Sequence, residues 1–163
     1  MYSYGGVYYP LSQSDVTNQT TAEFDRIFRT NVYAGFFLSR AAVPRMPPGS
    51  NIIFTASLVG LVPSARNMAY AASKAAIINY TQGLSGQLES YGIRVNAVMP
   101  SLTYSPFLAA IGLTTEELEQ GGPMFPMGRL QQPAELAPLY VDFADPQSSY
   151  TSGGYLGTPG GNF

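Results

Sequence analysis

Tyr70 and Lys74 stand four residues apart. On a helix that spacing puts both side chains on one face. A phenol with its ordinary pKa of about 10 is a poor acid–base group at neutral pH. A fixed ammonium beside it favours phenolate and lowers that pKa. A phenol tuned in this way can give a proton to a carbonyl oxygen or take one from an alcohol. Lys74 is the only lysine among the 163 residues.

Two further polar residues belong to the same argument. Ser57 follows the apolar run Asn51-Ile52-Ile53-Phe54-Thr55-Ala56, which reads as a strand. Ligands of open parallel sheets gather at the C-terminal ends of strands. The Ser57 hydroxyl could hold a substrate oxygen against Tyr70, or simply cap the loop that leaves the strand. Asn31 falls on an apolar helical stripe with Phe24, Ile27 and Phe28. A buried amide needs hydrogen-bond partners. Asn31 is either a structural amide or one that holds a water in a proton relay to Lys74.

The elements that would position these groups follow from periodicity. Thr20 and Glu23 form a capping box, and a long helix is expected from there to about Met46. Pro44, Pro47 and Pro48 close it. Asn51 to Ser57 has the composition of a strand buried on both faces. A second long helix is expected over Met68 to Tyr91, with Ile77, Thr81, Leu84 and Leu88 facing inward and Gly92 at its end. Ile93 to Met99 is a second strand, stopped by Pro100. Residues 101–131 read as irregular, with one helical turn near Thr114 to Glu119. Pro133 opens a third helix, and Tyr155 to Thr158 forms a last strand. Residues 1–19 read as a loop. Alternating helices and strands imply parallel strands joined by right-handed crossovers. The expected fold is a single α/β domain over residues 1–163: a partial, doubly wound, Rossmann-like parallel sheet in three α/β/α layers.

Composition narrows the function. The chain has no His and no Cys, so it holds no His base, no His or thiolate metal site and no disulfide. We expect no bound metal. Eight basic residues are scattered, and the net charge is −2; neither nucleic acid nor a membrane surface is an expected partner. Val32 to Val43, broken by Ser39 and Arg40, is too short to span a bilayer, and no signal peptide is visible at the start. A soluble, cytoplasmic protein is expected. Only 11% of residues are charged, against roughly 25% in ordinary soluble domains. Much of the surface should therefore be buried, in the core or against partners.

Asn31-Val32, the strand ending at Ser57, Tyr70-Ala71-Ala72-Ser73-Lys74 and Arg94-Val95-Asn96-Ala97-Val98-Met99-Pro100 resemble successive landmarks of the classical short-chain dehydrogenase/reductase family. Ser57 precedes Tyr70 by thirteen residues, the family's usual interval. Pro126-Met127-Gly128-Arg129 and Pro133-Ala134-Glu135-Leu136-Ala137 resemble the pattern before its last helix. The match runs in register from about Gly5 to Gly161, loosely like the glucose/ribitol dehydrogenase branch.

The resemblance implies reversible hydride transfer between NAD(H) or NADP(H) and a small alcohol/carbonyl pair. It makes Tyr70 the general acid/base. Lys74 lowers its pKa and binds the nicotinamide ribose, Ser57 positions the substrate oxygen, and Asn31 holds the relay water. Tyr70, Lys74, Gly6, Pro100, Thr103 and Ser105 would touch the cofactor. In Pro100-Ser101-Leu102-Thr103-Tyr104-Ser105, Ser101 replaces the family's glycine; the Thr103 and Ser105 hydroxyls could bond a carboxamide or a phosphate. Residues 101–131 would form the substrate lid. A homo-oligomer through the two long helices is also implied, with Ala71, Ala72, Ala75 and Ala76 permitting close approach.

The family's opening strand, Gly-rich turn and helix bind pyrophosphate, and the sequence has no matching T-G-x-x-x-G-x-G run. The residue choosing NAD or NADP would lie upstream. Without those central strands, Asn51 to Ser57 becomes an apolar edge, an aggregation hazard; the chain alone is expected to be poorly soluble or to associate there. Two other readings stand beside the enzyme. One is a non-catalytic remnant serving at most as an association module. The other is half of a split or misannotated enzyme.

Overall fold

The computed structural model describes residues 15–63, 65 and 67–161. The loop reading of the first fourteen residues and the cofactor assignment of Gly6 lie outside them.

The first helical run begins as expected. Thr20 Oγ1 accepts from the Glu23 amide at 3.2 Å, and Glu23 Oε2 accepts from the Thr20 amide at 3.0 Å. The run is not uniform. Helix α1 (Thr21–Phe28) passes into a π-helical turn (Arg29–Tyr33) and then into α2 (Ala34–Ala42), ending in a 3-10 turn at Val43–Arg45. The wider turn rotates later residues on the helix, so a strict 3.6-residue stripe does not survive it. Ile27 and Asn31 are buried, while Phe24 and Phe36 are exposed.

Strand β1 (Asn51–Thr55), helix α3 (Met68–Leu88) and strand β2 (Arg94–Met99) make one crossover unit, and strand β3 (Tyr155–Gly157) joins from the chain's end. The sheet is parallel throughout, in the order β1-β2-β3. Asn51 pairs with Arg94 and Thr55 with Val98; Ala97 pairs with Tyr155. Gly92, with φ of 64°, ends the helical run where only a left-handed residue fits.

The sheet carries helices on both faces, as a buried parallel sheet must. On one face α3 packs Ile77, Ile78, Leu84 and Leu88 onto Val95, Ala97 and Met99, with Ile52 and Phe54 joining from β1. On the other, Phe143 of α6 (Ala137–Ala144) packs onto Ile53 and Val98, with Leu136, Leu139 and Tyr140 beside them. The alternation of Ile52, Ile53 and Phe54 between faces is the two-residue period of a strand. β1 has only β2 beside it among the described residues, so this strand of buried composition stands at an edge with most of its side chains only partly covered.

Two expectations need correction. The stretch 101–131 holds two short helices, α4 (Pro106–Ala110) and α5 (Thr115–Gly121), rather than one turn. Proline at the first helical position after Ser105 starts α4, and a second Thr–Glu capping box, Thr114 with Glu117, starts α5. The helix expected at Pro133 is a 3-10 turn (Pro133–Glu135), with α6 following. Pro138 has no N–H to return to the preceding turn, so the α-helical ladder restarts around it. No helix among the described residues is long and apolar enough to cross a membrane.

Candidate active site

Helix α3 enters over the C-terminal ends of the strands. Its first turns carry Tyr70 and Lys74. Lys74 is 3% exposed, although it is a lysine. Its Nζ donates to the Thr55 carbonyl at 3.0 Å and lies 5.5 Å from the Tyr70 ring centroid. Burial pushes the ammonium down from its ordinary 10.5 to about 8, because a charge out of water is disfavoured. At neutral pH it still keeps its proton.

The close fit of α3 to the end of β1 depends on Gly60. A Cβ there would stand 2.9 Å from the backbone at Lys74 and Ala75. Only glycine lets the 3-10 turn Leu58–Gly60 lie flat on the helix at this level. Ala71 is buried and Ala75 half-buried within the chain, whereas Ala72 faces solvent.

Asn31 reaches α3 from the π turn. Its Nδ2 donates to Ser73 Oγ at 2.8 Å, and Ser73 Oγ donates to the Tyr70 carbonyl at 2.7 Å. Asn31 Oδ1 is buried with no partner among the described residues. Ser57, half-buried after β1, donates weakly to the Pro100 carbonyl at 3.5 Å. Lys74 and Tyr70 are therefore adjacent, Asn31 meets the Tyr70 backbone through Ser73, and Ser57 is tied to the end of β2.

Past β2, Gln131 Oε1 lies within hydrogen-bond distance of the hydroxyls of Thr158 (2.9 Å), Thr103 (3.2 Å) and Ser101 (3.3 Å). Backbone bonds from Tyr104 to Gln131 and from Gln131 to Leu102 tie the two ends of the 101–131 stretch together. Ser105 precedes α4 and makes no side-chain cap. Arg129 grips Glu135 with both guanidinium nitrogens, at 2.8 and 2.6 Å, and holds that carboxylate down at about 2. Sequence reasoning gave no role to Thr55, Ser73 or Gln131. Ser73 was discoverable, since it shares the buried face of α3 with Tyr70 and Lys74; Gln131 carried no signal.

Residues 4–162 match a family model described as enoyl-(acyl carrier protein) reductase. The chain is 42% identical over 148 residues to glucose and ribitol dehydrogenase of Daucus carota, covering 91% of this chain and 50% of that protein. It superposes with a TM-score of 0.84 on a short-chain dehydrogenase/reductase, glucose/ribitol dehydrogenase, from Brucella melitensis, at 25% identity, covering 98% of this chain and 62% of that one. The angucycline C-6 ketoreductase LanV, solved with bound NADP, gives 0.81 at 26% identity, covering 97% and 59%. The chain spans about half the length of the curated relatives it matches. With this fold and this match along its length, the chain belongs to the short-chain dehydrogenase/reductase family, as the C-terminal part of that α/β fold.

Proposed function

We propose that this chain carries the proton-transfer half of an NAD(P)-dependent oxidoreductase acting on an alcohol/carbonyl pair. The observation that carries the reading is the buried Lys74 ammonium, anchored on the Thr55 carbonyl and set against the Tyr70 ring. A charge this buried, with one hydrogen bond and no ion pair among the described residues, costs stability. A perturbed cation beside a titratable phenol in a family of oxidoreductases has a functional explanation.

The donor set suits the polar end of a nicotinamide nucleotide. Lys74 offers an ammonium and Ser57 a hydroxyl, and the hydroxyls of Ser101, Thr103 and Thr158 already converge on a carboxamide, that of Gln131. Lys74, Thr103, Ser105 and the Pro100 backbone would hold that end. The nicotinamide ring, when bound, supplies or accepts the hydride. Ser57 holds the substrate oxygen by its hydroxyl. Tyr70 gives its proton to that oxygen as a carbonyl becomes an alcohol, or takes it back in the reverse direction. Lys74 keeps positive charge beside the phenol, so the phenolate that remains is stabilised. Asn31, whose Oδ1 has no hydrogen-bond partner among the described residues, would hold a water in a relay to Lys74. The names of the similar proteins, glucose and ribitol dehydrogenase and a ketoreductase, support hydroxyl and carbonyl substrates; NADP bound in one of them supports the cofactor class.

The outer face of α1 and α2 supports a homo-oligomer. Tyr33, Phe36 and Phe37 are exposed there, and the Arg40 guanidinium lies 5.0 and 5.3 Å from the centroids of the two phenylalanine rings.

The test is titration of the purified chain with NADH and NADPH by nucleotide fluorescence, followed by alcohol-dependent reduction of the oxidised cofactor. Binding tighter than millimolar, with turnover abolished in Tyr70→Phe, supports the enzyme. A stable oligomer that binds neither nucleotide supports an association module. Binding that returns only when a separately made strand–Gly-rich-turn–helix half is added supports a split enzyme.

A further inference from the structure

We propose that Gln131 is a positioning residue for the 101–131 lid, its side chain tying the base of that excursion to the segment that follows β3. The inference rests on the reading of residues 101–131 as a lid and does not need the chemistry of Tyr70. The base closes on itself through the backbone. The Tyr104 amide donates to the Gln131 carbonyl at 2.8 Å, and the Gln131 amide donates to the Leu102 carbonyl at 3.2 Å. The Gln131 side chain meets the hydroxyls of Ser101, Thr103 and Thr158, and its Oε1 offers two lone pairs to the three of them. The Thr103 hydroxyl lies nearer the Ser101 carbonyl, at 3.0 Å, than Gln131, at 3.2 Å, so its single proton goes to that carbonyl. Ser101 and Thr158 are left to donate to Gln131, one from the base itself and one from beyond β3.

Thr158 is a support on the sheet. It follows directly on β3, and its amide donates to the carbonyl of Met99, the last residue of β2, at 3.3 Å. Chain connectivity attaches the base at two other points, the end of β2 and the 3-10 turn that leads to α6. Two points of support define an axis about which a loop can swing, and a third tie resists that swing. The excursion has little buried surface to steady it: among the described residues of 104–130 only Leu108, Gly122 and Leu130 are buried. Segments with few buried contacts move at low free energy. Pro126 lies against Gly161, so the excursion leans toward the same support that Gln131 grips. Helices α4 and α5 ride on this base, and its tilt is set at Gln131. Lids turn on a few such positions away from the reacting atoms.

The experiment measures distances between paired spin labels on the full chain by double electron–electron resonance. The sequence has no cysteine, so labels go only where cysteine is introduced. Gln87→Cys on α3 with Glu119→Cys on α5 reports the lid, and Gln87→Cys with Tyr150→Cys reports the body; all three positions are exposed. Diluting labelled chain into unlabelled chain removes distances between copies. Gln131→Ala should broaden the lid distribution and leave the body distribution unchanged. Gln131→Glu keeps an acceptor oxygen and should restore the narrow distribution. Thr158→Val removes the shortest of the three bonds and should broaden the lid distribution in the same way, with the double variant adding little; it is read alone if Gln131→Ala fails to fold. A lid distribution that broadens together with that of the body reduces Gln131 to a structural residue and overturns the proposal. An equally broad lid distribution with and without the substitutions also overturns it, since the lid then moves and Gln131 does not hold it. Failure of the lid reading itself looks different: the distribution is equally narrow in every protein.

Discussion

Replacing Lys74 by methionine should make the protein more stable and, on the proposed mechanism, inactive. The ammonium is buried and lowered from 10.5 to about 8. At 1.36 kcal/mol per pKa unit, that drop is a cost of about 3 kcal/mol to the folded state while the group is charged. The sign follows from proton counting. Below pH 8 the folded and unfolded chains both hold the proton, and the folded state bears the whole cost. Between pH 8 and 10.5 the folded chain has released it and the unfolded chain has not. Unfolding then takes up a proton, so stability rises with pH across this window. Above 10.5 the cost is gone. Lys74→Met removes this dependence and also forfeits the bond to the Thr55 carbonyl, worth about 1 kcal/mol. The variant should gain about 2 kcal/mol at pH 7 and lose that advantage by pH 10.5. The assay is urea denaturation followed by circular dichroism at several values from pH 7 to 10.5. Comparing the two proteins cancels the other titrating groups, and repeating the pair in a Tyr70→Phe background removes the coupled phenol. Parallel stability curves for lysine and methionine would refute the claim that this charge is held at a cost.

Three further outcomes are expected. Asn96, fully buried in β2, donates to the Thr151 carbonyl at 2.8 Å and accepts from the Gly154 amide at 3.0 Å; Asn96→Ala takes the partner from the Gly154 amide, while the Thr151 carbonyl keeps a bond from Arg94, and should cost about 1–3 kcal/mol, and a loss below about 0.5 kcal/mol in urea denaturation would contradict this. Glu135, held at about 2 by Arg129, favours the folded state above its ordinary 4.5, and that contribution fades as pH falls toward 2; Glu135→Gln should remove this acid-side loss, and an unchanged acid-unfolding profile would count against the ion pair. The chain should associate through the open side of β1, as measured by sedimentation. Phe37→Glu would break an assembly built on the α1–α2 face and spare one built on β1, and a monodisperse, cooperatively melting monomer would rule out both.

What the sequence disclosed was whatever local chemistry determines. The Thr20–Glu23 box, the inward stripe Ile77, Thr81, Leu84 and Leu88, and Gly92 past the helix end all act within a few residues, and each appears where expected. The parallel order follows because crossover helices leave little alternative. The π turn was not legible, because no residue preference in Arg29–Tyr33 marks it. Asn31 was placed on the buried face from spacing alone, but its acceptor, Ser73, lies 42 residues away, and periodicity does not pair residues across elements. The same limit hid the hold of Thr55 on Lys74, made by a backbone carbonyl that every residue possesses. Gln131 gathers hydroxyls from three separate places in the chain; only the closed loop brings them together.

The anchoring of Lys74 on β1 ties the proposed chemistry to an edge of the sheet. Thr55 is the last residue of β1, and β1 is bonded along one side only among the described residues. Edge strands open at lower free energy than central ones. Motion of β1 against α3 therefore acts on the ammonium before it acts on the buried β2. A strand pairing along the open side of β1 would stiffen the Thr55 carbonyl and, through it, the charge that faces Tyr70. Binding at that edge and the acidity of the phenol are then two readings of one element. A partner that completes the sheet should tighten the Tyr70 titration as well as the fold, and one that docks on the outer face of α1 and α2 should leave the Lys74 anchor as it is.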